Sequence, residues 1–470
     1  MTVYTIFTYV GIAALLLTLL RYRFARPSNV LICYLQNFTG ALFIFSGFVK
    51  AIDPLGTSYK MHEYFEKFAE EGLCPVWEYL ATWSTPMSIL MIAAELFFGF
   101  MLIIGWMPRF TVTIIWWLTL FFTLLTGYTY LSGYCISSLF VALSVAAMVV
   151  LGAVPLIGRA NVRNLVLLGG LLFVAGLFLW FRSPSFGCAF TDTKMKVTDC
   201  GCFGDFIKLK PWETFYKDVF LDVLILALVL GYKEIKPVLT GLRQTLTAVV
   251  TGVAALAVCL YHVYGNEPSI DFRPYKIGND IAALRKEVKP AVIEMTFIYK
   301  NKKTGEMRSF AMNELSSINS DEWEFVDRKD VVKDPGIPAK INNLFIENEE
   351  GVNVTDSLLA EPGYSFWVIS PDVGKANLSA FEQLRELAAT ARKSGASFYA
   401  IVRNEGNIED FRKRIGADYP FLYADETPLK TIIRSNPGLV LLRKGVVVNK
   451  WHHRHLPTSD ELRKLYFTQQ

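Results

Sequence analysis

The side chains best suited to chemistry sit in one short stretch. Residues 182–214 hold three cysteines, Cys188, Cys200 and Cys202, the last two separated only by Gly201. A disulfide needs Cα atoms roughly 4.4–6.8 Å apart, which neighbours at i, i+2 reach only on a bent backbone. Gly201 and Gly204 permit positive φ and so permit the bend. A Cys200–Cys202 bond would be strained and easily reduced, the property of labile or catalytic disulfides, and Cys188 could resolve it as a third thiol. The competing reading is a structural clasp tying the loop to itself or to Cys74 or Cys135, and these residues alone do not separate the two. Soft thiolates also suit zinc. The spacing is not C-x-x-C, however, and no histidine lies in the loop, so neither a metal nor another cofactor is expected.

The elements that must hold this loop are apolar. Eight segments, approximately 2–20, 30–50, 86–107, 110–132, 136–156, 163–181, 215–232 and 244–264, offer the roughly 20 apolar residues that a bilayer crossing needs. The first lacks a basic n-region and a small-residue cleavage site, so it reads as a retained helix. The chain of 470 residues is 52% hydrophobic and 19% charged, against about 25% charged in soluble proteins; its mean hydropathy is +0.32. Residues 1–264 carry 32 charged side chains and residues 265–470 carry 58. That asymmetry excludes a single soluble globule. The net charge of +4 arises in the first part and forms no basic stripe, which fits lipid as a partner and not nucleic acid.

Arg21, Arg23, Arg26, Arg109, Arg159, Arg163, Lys233, Lys236 and Arg243 crowd one set of short loops, with only Glu234 acidic among them. The loops around 50–85 and 182–217 also hold nine basic residues, but they are longer and rich in acids such as Glu63, Glu66, Glu70 and Glu71. Basic density marks the cytoplasmic side. The N-terminus, both long loops and residues 265–470 are therefore expected outside, in the periplasm of a bacterial inner membrane. Six cysteines, all but Cys33, then fall on the oxidising side, where disulfides persist.

Asp199-Cys-Gly-Cys-Phe-Gly-Asp205, followed by Leu209-Lys-Pro-Trp-Glu-Thr-Phe-Tyr-Lys-Asp218, resembles the DoxX/MauE-type redox-associated membrane proteins. Gly40, Phe45-Ser-Gly47 and Lys50-Ala-Ile-Asp-Pro54 in the second segment, and Glu95 in the third, are similar to the same family. The resemblance covers roughly residues 28–232 and implies a four-helix core with a role in disulfide handling during periplasmic protein maturation. Segments 136–156 and 163–181 depart from it as an inserted hairpin.

An ionised carboxylate within the bilayer costs several kcal/mol unless partnered, which makes Glu95 a functional candidate. The plainer reading is a packing bond to Lys50 or Gln36. Asp218 and Asp222 share a helix face beside Lys217, from which both could meet the cysteine loop or a basic partner; a structural anchor is the favoured reading. Trp116-Trp117 and Phe121-Phe122 could line a quinone site, but aromatic residues more often meet lipid, so no quinone is assigned.

Residues 265–361 read as a polar linker and a β-rich extension with hairpins. From 362 the pattern runs strand (364–370), helix (377–394), strand (397–403), helix (407–415), short elements (420–434), strands (438–443 and 446–451) and a last helix from 458. That order resembles the thioredoxin fold in its TlpA-like form, with Pro437 at the position of the cis-proline. Where thioredoxins carry C-x-x-C stands Ser370-Pro-Asp372-Val, and no cysteine follows Cys259. The resemblance implies a docking groove around Pro437, Asn436, Ser370 and Asp372 without redox chemistry. His452, His453 and His455 read as a solvated strand end.

The chain is thus expected to be an α-helical polytopic membrane domain (1–264) with a thioredoxin-like extracytoplasmic α/β domain (362–470). Thiol–disulfide exchange with a periplasmic protein client ranks first among its functions. A non-enzymatic assembly or partner-binding factor with structural disulfides ranks second, and a transporter built around Glu95 ranks last.

Overall fold

Helices occupy all eight apolar segments in the computed structural model. It describes the chain except for residues 1, 71–75, 134–137, 157–158, 182–196, 198–200, 208, 287, 291, 320, 335, 338, 406–407 and 468–470. Cys74, Cys135, Cys188 and Cys200 therefore lie outside the described residues. The chain divides into two units, Met1–Phe272 and Arg273–Gln470.

The first unit runs α1 (Val3–Ala25), α2 (Val30–Ile52), α3 (Pro54–Glu70), α4 (Val76–Thr82), α5 (Ser84–Ile104), α6 (Pro108–Leu131), α7 (Ser138–Gly152), α8 (Arg159–Phe181), α9 (Pro211–Gly231) and α10 (Gly241–Tyr264). Among the described residues, α1, α2, α5, α6 and α10 are long and apolar enough to cross a bilayer, fewer than the eight expected. Around α7 and α8 the apolar stretches are shorter, and α9 is interrupted by Lys217, Asp218 and Asp222. Lys217 and Asp218 are buried, so the interruption faces the protein. The chain is a multi-pass membrane protein.

One stretch differs from its sequence reading as a loop. Residues 54–70 form α3, whose Met61, Tyr64, Phe65 and Phe68 are buried at the i, i+3, i+4, i+7 spacing of one helix face. The opposite face is laced by Lys60–Glu63 and Lys67–Glu70 pairs, each 2.7 Å.

Backbone proximity sets the centre of the bundle. A Cβ on Gly40 of α2 would lie 2.8 Å from the Gly99 carbonyl oxygen of α5, and one on Gly99 would lie 3.0 Å from the Gly40 oxygen. Only glycine lets two helices approach this closely, and helix association in lipid relies on such contacts. Gly99 stands one turn from Glu95, so the contact carries that side chain to the inner face of α2.

The second unit contains two sheets. Strands β1 (Val292–Asn301), β2 (Met307–Ala311) and β3 (Trp323–Asp334) form an antiparallel sheet in the order β2-β1-β3, with 302–306 as the hairpin turn. The other sheet is built from β4 (Ile346–Glu347), β5 (Tyr364–Ser370), β6 (Ser397–Val402), β7 (Phe421–Ala424), β8 (Gly438–Arg443) and β9 (Val446–His452), in the order β4-β7-β6-β5-β8-β9. β5 pairs in parallel with β6 and antiparallel with β8.

Alternation along β5 sends Phe366 and Val368 to one face and Trp367 and Ile369 to the other. Both faces are covered. Phe366 and Val368 pack with Phe381 and Leu384 of α11 (Ala380–Lys393), Phe411 of α12 (Ile408–Ile415) and Leu462 of α14 (Ser459–Tyr466). Trp367 and Ile369 pack with Leu429 and Ile432 of α13 (Glu426–Ile432). This second core also takes in Tyr275 and Ile281, from the stretch read as a polar linker. Helices on both faces of a mixed sheet in this order, with a cis Asn436–Pro437 bond before β8, make this a thioredoxin-like α/β domain.

Candidate functional site

The polar residues of the membrane unit converge. Lys50 and Glu95 are both buried, and Lys50 Nζ lies 2.5 Å from Glu95 Oε1. Lys50 Nζ also donates to Ser46 Oγ at 3.1 Å, and Ser46 Oγ donates to the Cys202 carbonyl oxygen at 3.2 Å. A continuous hydrogen-bond chain therefore joins Glu95 on α5, through α2, to the cysteine loop. Gln36 bonds elsewhere, donating to the Leu102 and Ile103 carbonyls.

A second ion pair lies beside the first. Lys217 and Asp218 on α9 contact each other, Thr126 Oγ1 donates to Asp218 at 3.0 Å, and Thr123 Oγ1 donates to Asp222 at 2.7 Å. Buried charges persist when they are paired and hydrogen-bonded, and both pairs meet that condition. Their ammonium groups also stand over aromatic faces, Lys50 5.0 Å from the Phe122 ring centroid and Lys217 5.5 Å from that of Phe203.

Two small cavities adjoin this network, and Cys202, Lys50 and Phe122 line both. The one of about 30 Å³ is further lined by Glu95, Ser46, Lys217 and Asp218. The other, about 40 Å³, reaches Lys60, Tyr64 and Gly201. A water needs about 10–15 Å³ of such space, so each holds one to a few waters and neither fits a quinone ring. Among the described residues, Glu95 Oε2 and Asp222 Oδ1 are buried and accept no hydrogen bond.

The loop is held here by its own sequence. Gly201 and Gly204 adopt φ of +61° and +52°, the conformations glycine supplies without a Cβ penalty. The turn between them inserts Phe203, buried against Phe45 and the bundle core. Cys202 is left half-buried at the cavities. Cys33 and Cys259 are buried free thiols in α2 and α10.

In the second unit, Ser370 Oγ donates to Asn436 Oδ1 and Asn436 Nδ2 donates to the Asp372 carbonyl, both at 2.6 Å. These bonds latch the segment after β5 to the residue preceding Pro437. Burial would raise the Asp372 carboxyl, but Lys375 and the backbone N–H groups of Gly374 and Lys375 outweigh it and hold the group below its ordinary value. His452 is buried, not solvated as the sequence reading had it, because β9 turns it inward. Burial, then His453, Arg454 and His455, push it down to about 4. His453 Nδ1 lies 2.9 Å from Ser435 Oγ.

With this geometry in hand, comparison with known proteins becomes informative. Residues 28–137 match the family model for methylamine utilisation protein MauE. The matched region carries Lys50 and Glu95 and ends before the cysteine loop. Residues 293–334, the three-stranded sheet, match a domain of unknown function, DUF8463. A solution structure of a candidate protein disulfide isomerase from Bacteroides thetaiotaomicron aligns with 26% of this chain and 80% of its own, at 16% identity and a TM-score of 0.21. No curated protein matches the chain.

The helices of the membrane unit thus bring together Glu95, Lys50, Asp218 and Cys202, which lie far apart in the sequence, with Asp222 one turn beyond Asp218. Ser370, Asp372, Asn436 and Pro437 meet as a separate group in the second unit. Cys200 and Cys188 fall outside the described residues. Sequence reasoning left out Ser46, Phe203, Thr123 and Thr126. Hydroxyls inside apolar helices and one aromatic in a polar loop were the signals for them. Among the described residues, no group of three metal-ligating side chains occurs.

Proposed function

We propose that the protein is a thiol–disulfide exchange component of a bacterial inner membrane, acting through Cys200 and Cys202 in a periplasmic loop on periplasmic protein clients. The observation that carries this reading is the position of Cys202, whose backbone carbonyl is hydrogen-bonded through Ser46 to a buried ion pair and which lines two small cavities, one of them together with that pair. A structural clasp has no need of buried charges around a thiol, whereas exchange chemistry needs groups that take up and return protons. On this reading Cys188 acts as the resolving thiol. The thioredoxin-like domain, also periplasmic, holds clients beside Ser370, Asp372, Asn436 and Pro437 without exchanging electrons.

The test is the redox state of these cysteines in intact cells. Acid quenching followed by a mass-tagging maleimide, before and after a brief reductant pulse, is expected to find Cys200 and Cys202 in mixed states that reoxidise within minutes. Cys202→Ser is expected to abolish exchange while the protein still inserts. Cysteines locked in disulfides throughout the pulse would refute exchange and leave a membrane assembly factor. The cysteine-free second unit favours that alternative, since its Ser370–Asn436–Asp372 latch occupies the place of a C-x-x-C.

A further inference from the structure

We propose that the Lys50–Glu95 pair is the acid–base partner of Cys202: the thiol proton passes to Glu95 Oε2, which frees the Lys50 ammonium to stabilise the thiolate. This rests on the exchange reading and identifies its proton acceptor. Three observations converge on it. Glu95 lines the same cavity as Cys202, about 30 Å³ and large enough for a bridging water. Among the described residues its buried Oε2 accepts no hydrogen bond, while Oε1 is committed to Lys50. Lys50 is tied through Ser46 to the Cys202 backbone.

Charge conservation favours the step. Before transfer the thiol, carboxylate and ammonium sum to zero; afterwards the thiolate, carboxylic acid and ammonium again sum to zero. The S–H bond breaks and an O–H bond forms, so the buried site never acquires net charge, which is the costly event in a low-dielectric interior. The thiolate then attacks one sulfur of a client disulfide. A mixed disulfide forms, the client S–S bond breaks, Cys202 is oxidised and the departing client sulfur is reduced. The Glu95 proton neutralises that sulfur and restores the ion pair.

Other titratable groups lie around the two cavities. On α3, Lys60 bonds Glu63 and Tyr64 bonds Thr129. On α9, Lys217 contacts Asp218. Asp222 accepts from Thr123 through Oδ2, and its Oδ1, like Glu95 Oε2, is buried without a hydrogen bond among the described residues, but of the two only Glu95 lines a cavity with Cys202. The lining from α6 consists of hydroxyl, aromatic and aliphatic side chains.

The test uses the full chain in lipid nanodiscs with Cys202 as its only cysteine, and follows the pH profile of iodoacetamide alkylation by intact mass. Lys50→Met should raise the midpoint by about one unit and slow alkylation at neutral pH about tenfold. Glu95→Gln should lower the midpoint, because Lys50 is no longer neutralised. In the protein with all its cysteines, Glu95→Gln should slow exchange with a peptide disulfide about tenfold for want of the proton store. Opposite shifts from the two partners distinguish acid–base coupling from a structural ion pair; shifts in one direction, or none, overturn the proposal. Should one single variant fail to insert, the double variant Lys50→Met/Glu95→Leu is compared with the single variant that does insert: loss of the second charge should reverse that variant's shift, and a shift left unreversed overturns the proposal. If exchange proceeds while the profile ignores both residues, only this inference falls. If the profile obeys them but Cys202 exchanges with no disulfide, the exchange reading falls instead.

Discussion

The membrane unit and the thioredoxin-like unit make opposite use of buried polar groups. Around Cys202 lie two ion pairs, three threonine and serine hydroxyls and, among the described residues, two unbonded carboxylate oxygens, beside small cavities. Around Pro437, Ser370, Asn436 and Asp372 use their hydrogen bonds to close a loop against a strand. The first arrangement keeps charge and space at a thiol. The second commits its polar side chains to a latch beside the cis-proline. Buried charge and the thioredoxin-like fold therefore lie in different units of this chain, and on the proposed reading the buried charge marks the reactive site.

That contrast can be broken most severely at the helix contact beneath the ion pair. Gly99→Leu drives a side chain into the α2 backbone and should cost about 3 kcal/mol or more. The expected outcome is loss of the monodisperse peak in detergent size-exclusion chromatography, with the second unit still resistant to limited proteolysis. Loss of both units together would show that they do not fold independently.

Asn436→Ala is the converse change. It removes two side-chain hydrogen bonds, one of them to the buried Ser370, and should cost the second unit about 2 kcal/mol, read as a lower unfolding midpoint in urea. Cys202 alkylation should be unchanged. A changed alkylation rate would tie the latch to the thiol and erase the contrast.

The smallest expected effect is on pH dependence. His452 titrates near 4 when folded and at its ordinary value of 6.5 when unfolded, so between those values the unfolded chain binds more protons. Stability of the second unit is then full above about pH 6.5 and is lost progressively as pH falls toward 4. His452→Gln should flatten that slope in thermal unfolding of the full chain, and a slope unchanged by the substitution would remove His452 as its origin.

Much of this was legible in the residues because local pattern carried it. Apolar runs placed the eight helical segments, and strand and helix alternation placed the elements after residue 362 to within a few positions. The cis bond at Pro437 was expected only through the resemblance to the thioredoxin fold. The helix at 54–70 was equally legible in Met61, Tyr64, Phe65 and Phe68, but Lys60, Glu63, Lys67 and Glu70 on the opposite face gave the stretch a loop-like average. His452 was misread because alternation shows which residues share a face, not which face is covered.

The sequence by itself determined where the apolar helical segments lie, that no cysteine follows Cys259, and that a single glycine separates Cys200 from Cys202. Those are properties of composition and short-range spacing. Only tertiary structure decided that Lys50 meets Glu95 across 45 residues and that Ser46 reaches the Cys202 carbonyl across 156. The reason is geometric: a charge in an apolar helix must find a partner, but which partner depends on how closely two helices approach. Here that approach is set by two glycines, Gly40 and Gly99, that touch backbone to backbone.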